Sequence, residues 1–128
     1  MIHDNLTPTA LRAQADYNAP DGSEIRLLPQ VRGAGLAHCT LPPGQTTKAV
    51  RHRTVDEIWY VLQGAGQVWR KLGDDESVVN VLPGTALTIP VTTHFQFRNT
   101  STEPLTILIV TSPVWPGSDE AVAVPDHW

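Results

Sequence analysis

The sequence is poor in cysteine, with Cys39 as its single thiol among 128 residues, so no disulfide can form within the chain. One unpaired thiol is typical of proteins kept in a reducing compartment, and we therefore expect a cytoplasmic location. The N-terminal residues lack both a basic start and an apolar run, which argues against a secretory signal. No apolar stretch reaches the roughly 18 residues that a membrane-spanning helix needs, so we expect no membrane association.

Basic residues are also sparse. Nine Lys and Arg stand against 13 Asp and Glu, which gives a formal net charge of −4. Nucleic-acid binding requires Lys and Arg concentrated on one face, so this composition argues against such a partner. The hydrophobic content of 41% is enough for a core in a chain of this length. Since no linker, repeat or low-complexity segment interrupts the chain, we predict one domain spanning residues 1–128.

Helical periodicity is confined to a short turn predicted around Thr9–Ala15. The rest of the chain alternates between strand-like runs and turns rich in Gly, Pro, Asn and Asp. Nine short strands about ten residues apart predict an all-β sandwich or barrel. The predicted strands are Glu24–Leu28, Ala34–Leu41, Thr47–His52, Glu57–Leu62, Gln67–Leu72, Ser77–Val81, Ala86–Ile89, His94–Arg98 and Leu105–Thr111.

The alternation of side chains predicts which residues point inward. Arg51 and Arg53 share one face of their strand and are unsuited to a core, so Val50 and His52 should face inward. On the next strand Glu57 shares a face with Trp59 and Val61. On a later strand His94, Gln96 and Arg98 share one face, opposite Phe95 and Phe97.

Two segments carry a recognisable spacing. The first, GQTTKAVRHRTVDEIWYVLQG, has five residues between Gly44 and Val50, four residues between His52 and Glu57, and six residues between Glu57 and Gly64. It resembles the first motif of the cupin superfamily, which reads Gly, five residues, His-x-His, three or four residues, Glu, six residues, Gly. Val50 stands where that motif has its first His.

The second segment, GTALTIPVTTHFQFRN, resembles the second cupin motif: Gly, five residues, Pro-x-Gly, two residues, His, three residues, Asn. Gly84, Pro90 and Asn99 match the pattern. Thr92 replaces the motif glycine, and His94 arrives one residue early. The resemblance covers about residues 34–111.

The chain is most similar to small single-domain bacterial cupins, which often carry a mannose-6-phosphate-isomerase-like label. The resemblance implies a double-stranded β-helix barrel with a short N-terminal extension and a C-terminal tail. It also implies a homodimer, for which the apolar face of Ile58, Tyr60 and Leu62 is a candidate contact.

Two imidazoles and a carboxylate that converge inside a barrel suit a divalent metal such as Fe, Mn, Ni, Cu or Zn. We therefore predict His52, Glu57 and His94 as metal ligands, with His38 as a further candidate that would replace the ligand lost at Val50. The alternative is a hydrogen-bonded polar cluster that holds no metal.

The predicted pocket for a small-molecule ligand or substrate is lined by Val50, Trp59, Gln96 and Arg98. The first functional hypothesis is a metal-dependent cupin enzyme of oxygenase, isomerase or lyase type. Without metal, Glu57 and His94 would act as catalytic base and acid. The alternative is a non-catalytic cupin that binds a small ligand at a degenerate metal site. A weaker third hypothesis is a structural partner that associates through its tail.

Overall fold

The computed structural model describes residues 6–128, which leaves the first part of the predicted N-terminal extension outside the described residues. Within this range the chain forms eleven strands and one 3-10 turn, Ser118–Glu120. None of the described helices is long and apolar enough to cross a membrane. The strands are β1 (Tyr17–Asn18), β2 (Glu24–Val31), β3 (Ala34–Leu41), β4 (Val50–His52), β5 (Asp56–Gln63), β6 (Gly66–Leu72), β7 (Asp75–Val81), β8 (Ala86–Ile89), β9 (His94–Asn99), β10 (Leu105–Ser112) and β11 (Ala121–Ala123).

The strands form two antiparallel sheets that face each other. One sheet has the order β1-β2-β3-β10-β5-β8, and the other has the order β11-β4-β9-β6-β7. The all-β class is confirmed, and each of the nine predicted runs contains a strand. No strand pair of the described residues joins the two sheets, so the predicted barrel is a sandwich of two facing sheets.

The core lies between the sheets and is built by alternating residues of each strand. Trp59 and Val61 of β5 point inward and are almost fully buried, as are Phe95 and Phe97 of β9. Trp59 contacts both phenylalanine rings edge-to-face, with centroid distances of 5.5 and 5.0 Å. Large aromatic side chains bury more apolar area than others, so their packing fixes the face that each strand turns inward.

Strand β9 therefore turns the other way from the prediction. Phe95 lies opposite the buried Val50 of β4, and it packs into the core together with Phe97. The alternation of the strand then places His94, Gln96 and Arg98 on the outer face of the sheet. Burial of two phenylalanines outweighs any preference of the three polar residues for the interior.

The predicted C-terminal tail packs as part of the fold. Strand β11 pairs with β4, so that Ala121 lies opposite His52. The Gln96 amide oxygen accepts hydrogen bonds from the backbone N–H groups of His127 and Trp128, at 2.8 and 3.0 Å. These contacts close the tail over the outer face of the second sheet.

The predicted helical turn around Thr9–Ala15 is also wrong, because these residues form no regular secondary structure. The Arg12 guanidinium pairs with the Asp16 carboxylate, and the Arg26 side chain donates to the backbone carbonyls of Arg12 and Ala13. Such side-chain bonds hold the segment against β2 and offer the backbone an alternative to a helix.

Candidate functional site

A cavity of about 1150 Å³ lies between the two sheets. Its volume slightly exceeds the usual range for small-molecule sites, which is about 300–1,000 Å³. Apolar and aromatic side chains form most of its walls, and a few polar groups interrupt them. The inner walls include Ile25, Cys39, Val50, His52, Glu57, Trp59, Phe95, Phe97, Ile109 and Thr111, with Tyr17, Asp21, Ser23, Trp115 and Ala121 contributing from the flanking segments.

Glu57 is the best-defined polar group of the cavity. One carboxyl oxygen accepts the indole N–H of Trp59 at 3.0 Å, and the other bonds to the Thr111 hydroxyl at 2.8 Å. Trp59 lies two residues along the same strand, and Thr111 lies directly opposite on β10. Strand geometry therefore fixes the orientation of this carboxyl group.

Burial raises the pKa of Glu57 to about 7, because a charged carboxylate is poorly solvated there. The hydrogen bonds from Trp59 and Thr111 act in the opposite direction, and the charges of Asp21 and Glu120 add to the increase. The group therefore changes protonation near neutral pH, which is a property of proton-transfer residues.

His52 lies on β4 with its ring in the cavity wall. The ring contacts Phe95 and Trp115 edge-to-face, with centroid distances of 5.1 and 5.2 Å. Burial lowers the pKa of His52 to about 4, although the charge of Glu120 acts in the opposite direction. The imidazole is thus neutral at pH 7, and its buried Nδ1 has no hydrogen-bond partner in the protein.

Glu120 holds the loop between His52 and Glu57. Its carboxylate accepts the backbone N–H groups of Thr54 and Val55 at 2.6 and 2.8 Å, and the Thr54 hydroxyl at 2.7 Å. Burial alone would raise the pKa of Glu120, but these hydrogen bonds lower it. The carboxylate is therefore ionised and serves as an anchor for the loop.

A second carboxyl group, Asp21, lines the cavity from the turn before β2. It is 8% exposed and accepts the backbone N–H and the hydroxyl of Ser23, at 2.9 and 2.7 Å. Burial raises the pKa of Asp21, and the bonds from Ser23 oppose this increase. Burial also raises the pKa of the neighbouring Cys39 thiol, which makes it an inert core residue.

Four of the predicted site residues line the cavity: Val50, His52, Glu57 and Trp59. The other three predicted on β9 do not. His94 is half-buried on the outer face, opposite Lys71 of β6. Gln96 holds the C-terminal tail, and the Arg98 guanidinium lies 4.3 Å from the Trp128 ring centroid. The expected convergence of His94 with His52 and Glu57 is therefore wrong, as is the placement of Gln96 and Arg98 in the pocket.

His38 also lies away from the cavity. It is on the outer face of β3, opposite Arg26 of β2. Burial lowers the pKa of His38, and the charge of Arg26 lowers it further. Since a strand alternates its faces, the inward positions next to it belong to Ala37 and Cys39. His38 therefore does not replace the ligand missing at Val50.

The residues present do not fit the divalent metal that the resemblance implies. No group of three or more His, Cys, Asp or Glu that could hold a metal occurs among residues 6–128. The second motif has three residues between its His and Asn99, which places the His at position 95, occupied here by Phe95. Together with Val50, two of the four motif ligand positions are apolar, and both Glu57 oxygens already have hydrogen-bond partners within the protein.

Several cavity residues were missed by the sequence reasoning. Asp21 and Ser23 read as an ordinary surface turn, and nothing local indicates their burial. Thr111 continues the inward face of Ile107 and Ile109, so alternation on β10 was the signal that could have found it. Trp115 lies in a segment without regular structure, and only the tertiary fold places its ring against His52.

The model of the family described as Cupin domain matches residues 37–111. The chain belongs to the cupin family. An uncharacterised protein of Methanocaldococcus jannaschii is 32% identical over 111 residues, which cover 83% of this chain and 86% of the relative. The family assignment made from the two motifs is therefore confirmed.

Solved structures resemble this cupin as a whole domain. A protein from Thermus thermophilus matches with a TM-score of 0.58 and 27% identity, covering 77% of this chain and 90% of the other. Oxalate decarboxylase of Bacillus subtilis, which has Mn(II) centres, matches with a TM-score of 0.72 and 16% identity. That match covers 87% of this chain and 30% of the enzyme, and it shows the shared fold alone.

The raised pKa of Glu57 predicts how stability depends on pH. Its folded pKa of about 7 exceeds the ordinary value of 4.5, so the folded state binds more protons than the unfolded chain between these values. The stability contributed by this group is present at low pH and decreases by about 3 kcal/mol as pH rises from about 4.5 to 7. Urea unfolding of the wild type and Glu57→Gln across this range measures the difference.

We expect the wild type to lose stability relative to Glu57→Gln as pH rises. His52 has the opposite pH dependence, but it is common to both proteins and cancels in the difference. Glu103→Gln, at an exposed position, is the matched control and should run parallel to the wild type. Parallel curves for the wild type and Glu57→Gln would contradict the assignment.

Proposed function

We propose that this cupin binds a small organic molecule in the cavity between its sheets, without a metal ion. The observation that carries the proposal is a cavity of about 1150 Å³ with aromatic walls, into which Glu57 and His52 project. Concave, mostly apolar sites with a few oriented polar groups are typical of small-molecule binding. The unpartnered Nδ1 of His52 is a polar atom for which the protein supplies no partner.

We prefer binding without a metal because too few metal-ligating side chains reach the cavity. Val50 and Phe95 occupy positions at which the cupin motifs have imidazoles, and His94 lies outside the cavity. A catalytic zinc or iron site normally has three protein ligands, whereas only His52 and Glu57 remain here. The Mn(II) chemistry of oxalate decarboxylase is therefore not part of the proposal. We also propose a reducing, cytoplasmic location, which the free and buried Cys39 supports.

A screen of organic fragments by ligand-observed NMR, on protein treated with a chelator, tests the binding function. We expect hits that bind the wild type and are lost in Ala37→Leu and Ala121→Leu, because both variants fill the cavity. His94→Ala, on the outer face, is the control and should retain them. Hits that survive in both cavity variants would place binding elsewhere and contradict the proposal.

Metal analysis of untreated protein is the second arm of this test. We expect far less than one divalent metal per chain, with no change in His52→Ala. A stoichiometric metal that disappears in His52→Ala would overturn the metal-independent form. It would also restore the prediction of a metal-dependent enzyme.

A second candidate function is proton transfer to and from the bound molecule by Glu57. Its carboxyl group is held by Trp59 and Thr111, and it is half-ionised near pH 7. In such a step a C–H bond of the ligand breaks as an O–H bond forms on the Glu57 carboxylate, and the electron pair stays on the ligand. The proton on Glu57 exchanges with solvent before a proton is returned to the ligand. Isomerases and lyases use carboxylates in this way.

Hydrogen–deuterium exchange of a bound carbon acid, followed by NMR in D2O, tests this second function. We expect Glu57→Gln to slow the exchange by about 10²–10⁴-fold while the fragment still binds, since proton transfer by a positioned side chain contributes about this much. Thr88→Ala, on the outer face of the same sheet, should leave the rate unchanged. Equal exchange in Glu57→Gln would remove the catalytic role and leave the binding function intact.

We also propose that the protein forms a homodimer through the outer face of the first sheet. Ile58 and Tyr60 of β5 are 55% and 47% exposed, and Leu62 and Val110 continue the same apolar row at 41% and 39%. Val110 lies directly opposite Ile58 on the neighbouring strand. Contiguous exposed apolar patches of this kind are typical of association surfaces.

Light scattering coupled to size-exclusion chromatography checks the dimer. We expect the mass of two chains for the wild type and of one chain for Tyr60→Lys, because the added charge would be buried without a partner. Val78→Lys introduces the same charge at an exposed position of the other sheet and should remain dimeric. A monomeric wild type would refute this proposal.

A further inference from the structure

The charges around the cavity are unbalanced. Asp21 and Glu57 both face its interior and are 8% and 7% exposed. Among the described lining residues, Arg12 is the one side chain that is positively charged at neutral pH. Arg12 lies at the rim, where its side chain is 61% exposed and paired with Asp16. The interior therefore contains two carboxyl groups and no cation to neutralise them.

The hydrogen bonds of the two carboxyl groups favour the ionised form, although burial acts against it and raises the pKa of both groups. The indole N–H of Trp59 can only donate, so the Glu57 oxygen that it contacts is an acceptor. The Asp21 carboxyl accepts both the backbone N–H and the hydroxyl of Ser23. Donors directed at carboxyl oxygens favour the ionised form, and a positive charge in the cavity would favour it further.

The remaining walls suit the body of an organic cation. Trp59, Phe95 and Phe97 form a connected aromatic cluster, and Trp115 extends it beyond His52. Aromatic rings attract ammonium groups through their electron-rich faces and also bury apolar carbon. His52, which is 4% exposed, lines the same cavity and leaves Nδ1 without a partner, an independent sign that the site is built for a ligand.

We infer that the ligand of this cavity is an organic amine: a positively charged ammonium group, held near Asp21 and Glu57, on an apolar body enclosed by the aromatic walls. The inference depends on the proposed small-molecule function and specifies the ligand class. A carboxylate ligand is disfavoured, because it would meet two acidic groups without a compensating cation. An amine instead brings the positive charge that the interior lacks.

Three matched sets of probes test the inference, each with one carbon skeleton and three end groups. They are benzylamine, benzyl alcohol and benzoate; cyclohexylmethylamine, cyclohexylmethanol and cyclohexanecarboxylate; and butylamine, butanol and butyrate. Titration calorimetry near neutral pH gives the affinity ratio within each set. We expect each amine to bind at least about tenfold more tightly than its alcohol, which is about 1.4 kcal/mol, and each carboxylate to bind least.

Two isosteric variants test whether the amine-to-alcohol affinity ratio depends on the two carboxyl groups. Asp21→Asn keeps an oxygen for Ser23, and Glu57→Gln keeps one for Trp59, so both retain the local hydrogen bonds while losing the charge. We expect each variant to reduce the amine-to-alcohol ratio by at least about threefold with little change in alcohol affinity. Glu103→Gln removes an exposed carboxylate elsewhere and should leave the ratio at the wild-type value.

The outcomes separate the two proposals. Alcohols or carboxylates that bind as well as the amines, and compete with each other, would overturn the amine inference while the cavity remains a binding site. An amine preference that persists in both Asp21→Asn and Glu57→Gln would also overturn it. If no probe binds, and no hit of the fragment screen is lost in the cavity variants, the proposed binding function itself fails.

Discussion

The burial of the Glu57 carboxyl between Trp59 and Thr111 is the constraint on which the site depends. Strand β5 must turn Glu57 inward, because the same face carries Trp59 and Val61 into the core. The apolar packing therefore brings an acidic group into a poorly solvated space. Its hydrogen bonds reduce the cost without removing it, as the raised pKa indicates. The function of the cavity therefore depends on a buried carboxyl group whose charge no cation in the cavity neutralises.

The second sheet presents Val50 and Phe95 to the cavity at two positions where the cupin motifs have imidazoles. Phe95 separates the His52 ring from Trp59 and contacts both edge-to-face. This packing stabilises the core, but it removes the donors that would complete a metal site. The family supplies the scaffold in this protein, while the chemistry depends on residues that differ from the family pattern.

The C-terminal segment contributes both to the cavity and to the outer face of the second sheet. Glu120 fixes the loop that leads into β5, and Ala121 and Trp115 complete the cavity wall. Further along, the last residues cover Gln96 on the outer face of the second sheet. The cavity thus depends on residues far from either cupin motif.

The sequence by itself determined the all-β class, the position of nine strands and the cupin family. Local alternation and motif spacing carry that information, because the side-chain period of two is read along a single strand. It also placed Val50, His52, Glu57 and Trp59 on inward faces, since charged or large apolar neighbours settle each choice. The inward face of β9 could not be settled in this way. One face of the strand carries His94 and the other carries Phe95, and each residue is compatible with the interior. The tertiary structure decided it through the packing of Phe95 and Phe97 against Trp59. Burial of Asp21 and the docking of the tail likewise depend on contacts between residues distant in the chain, which no local pattern encodes.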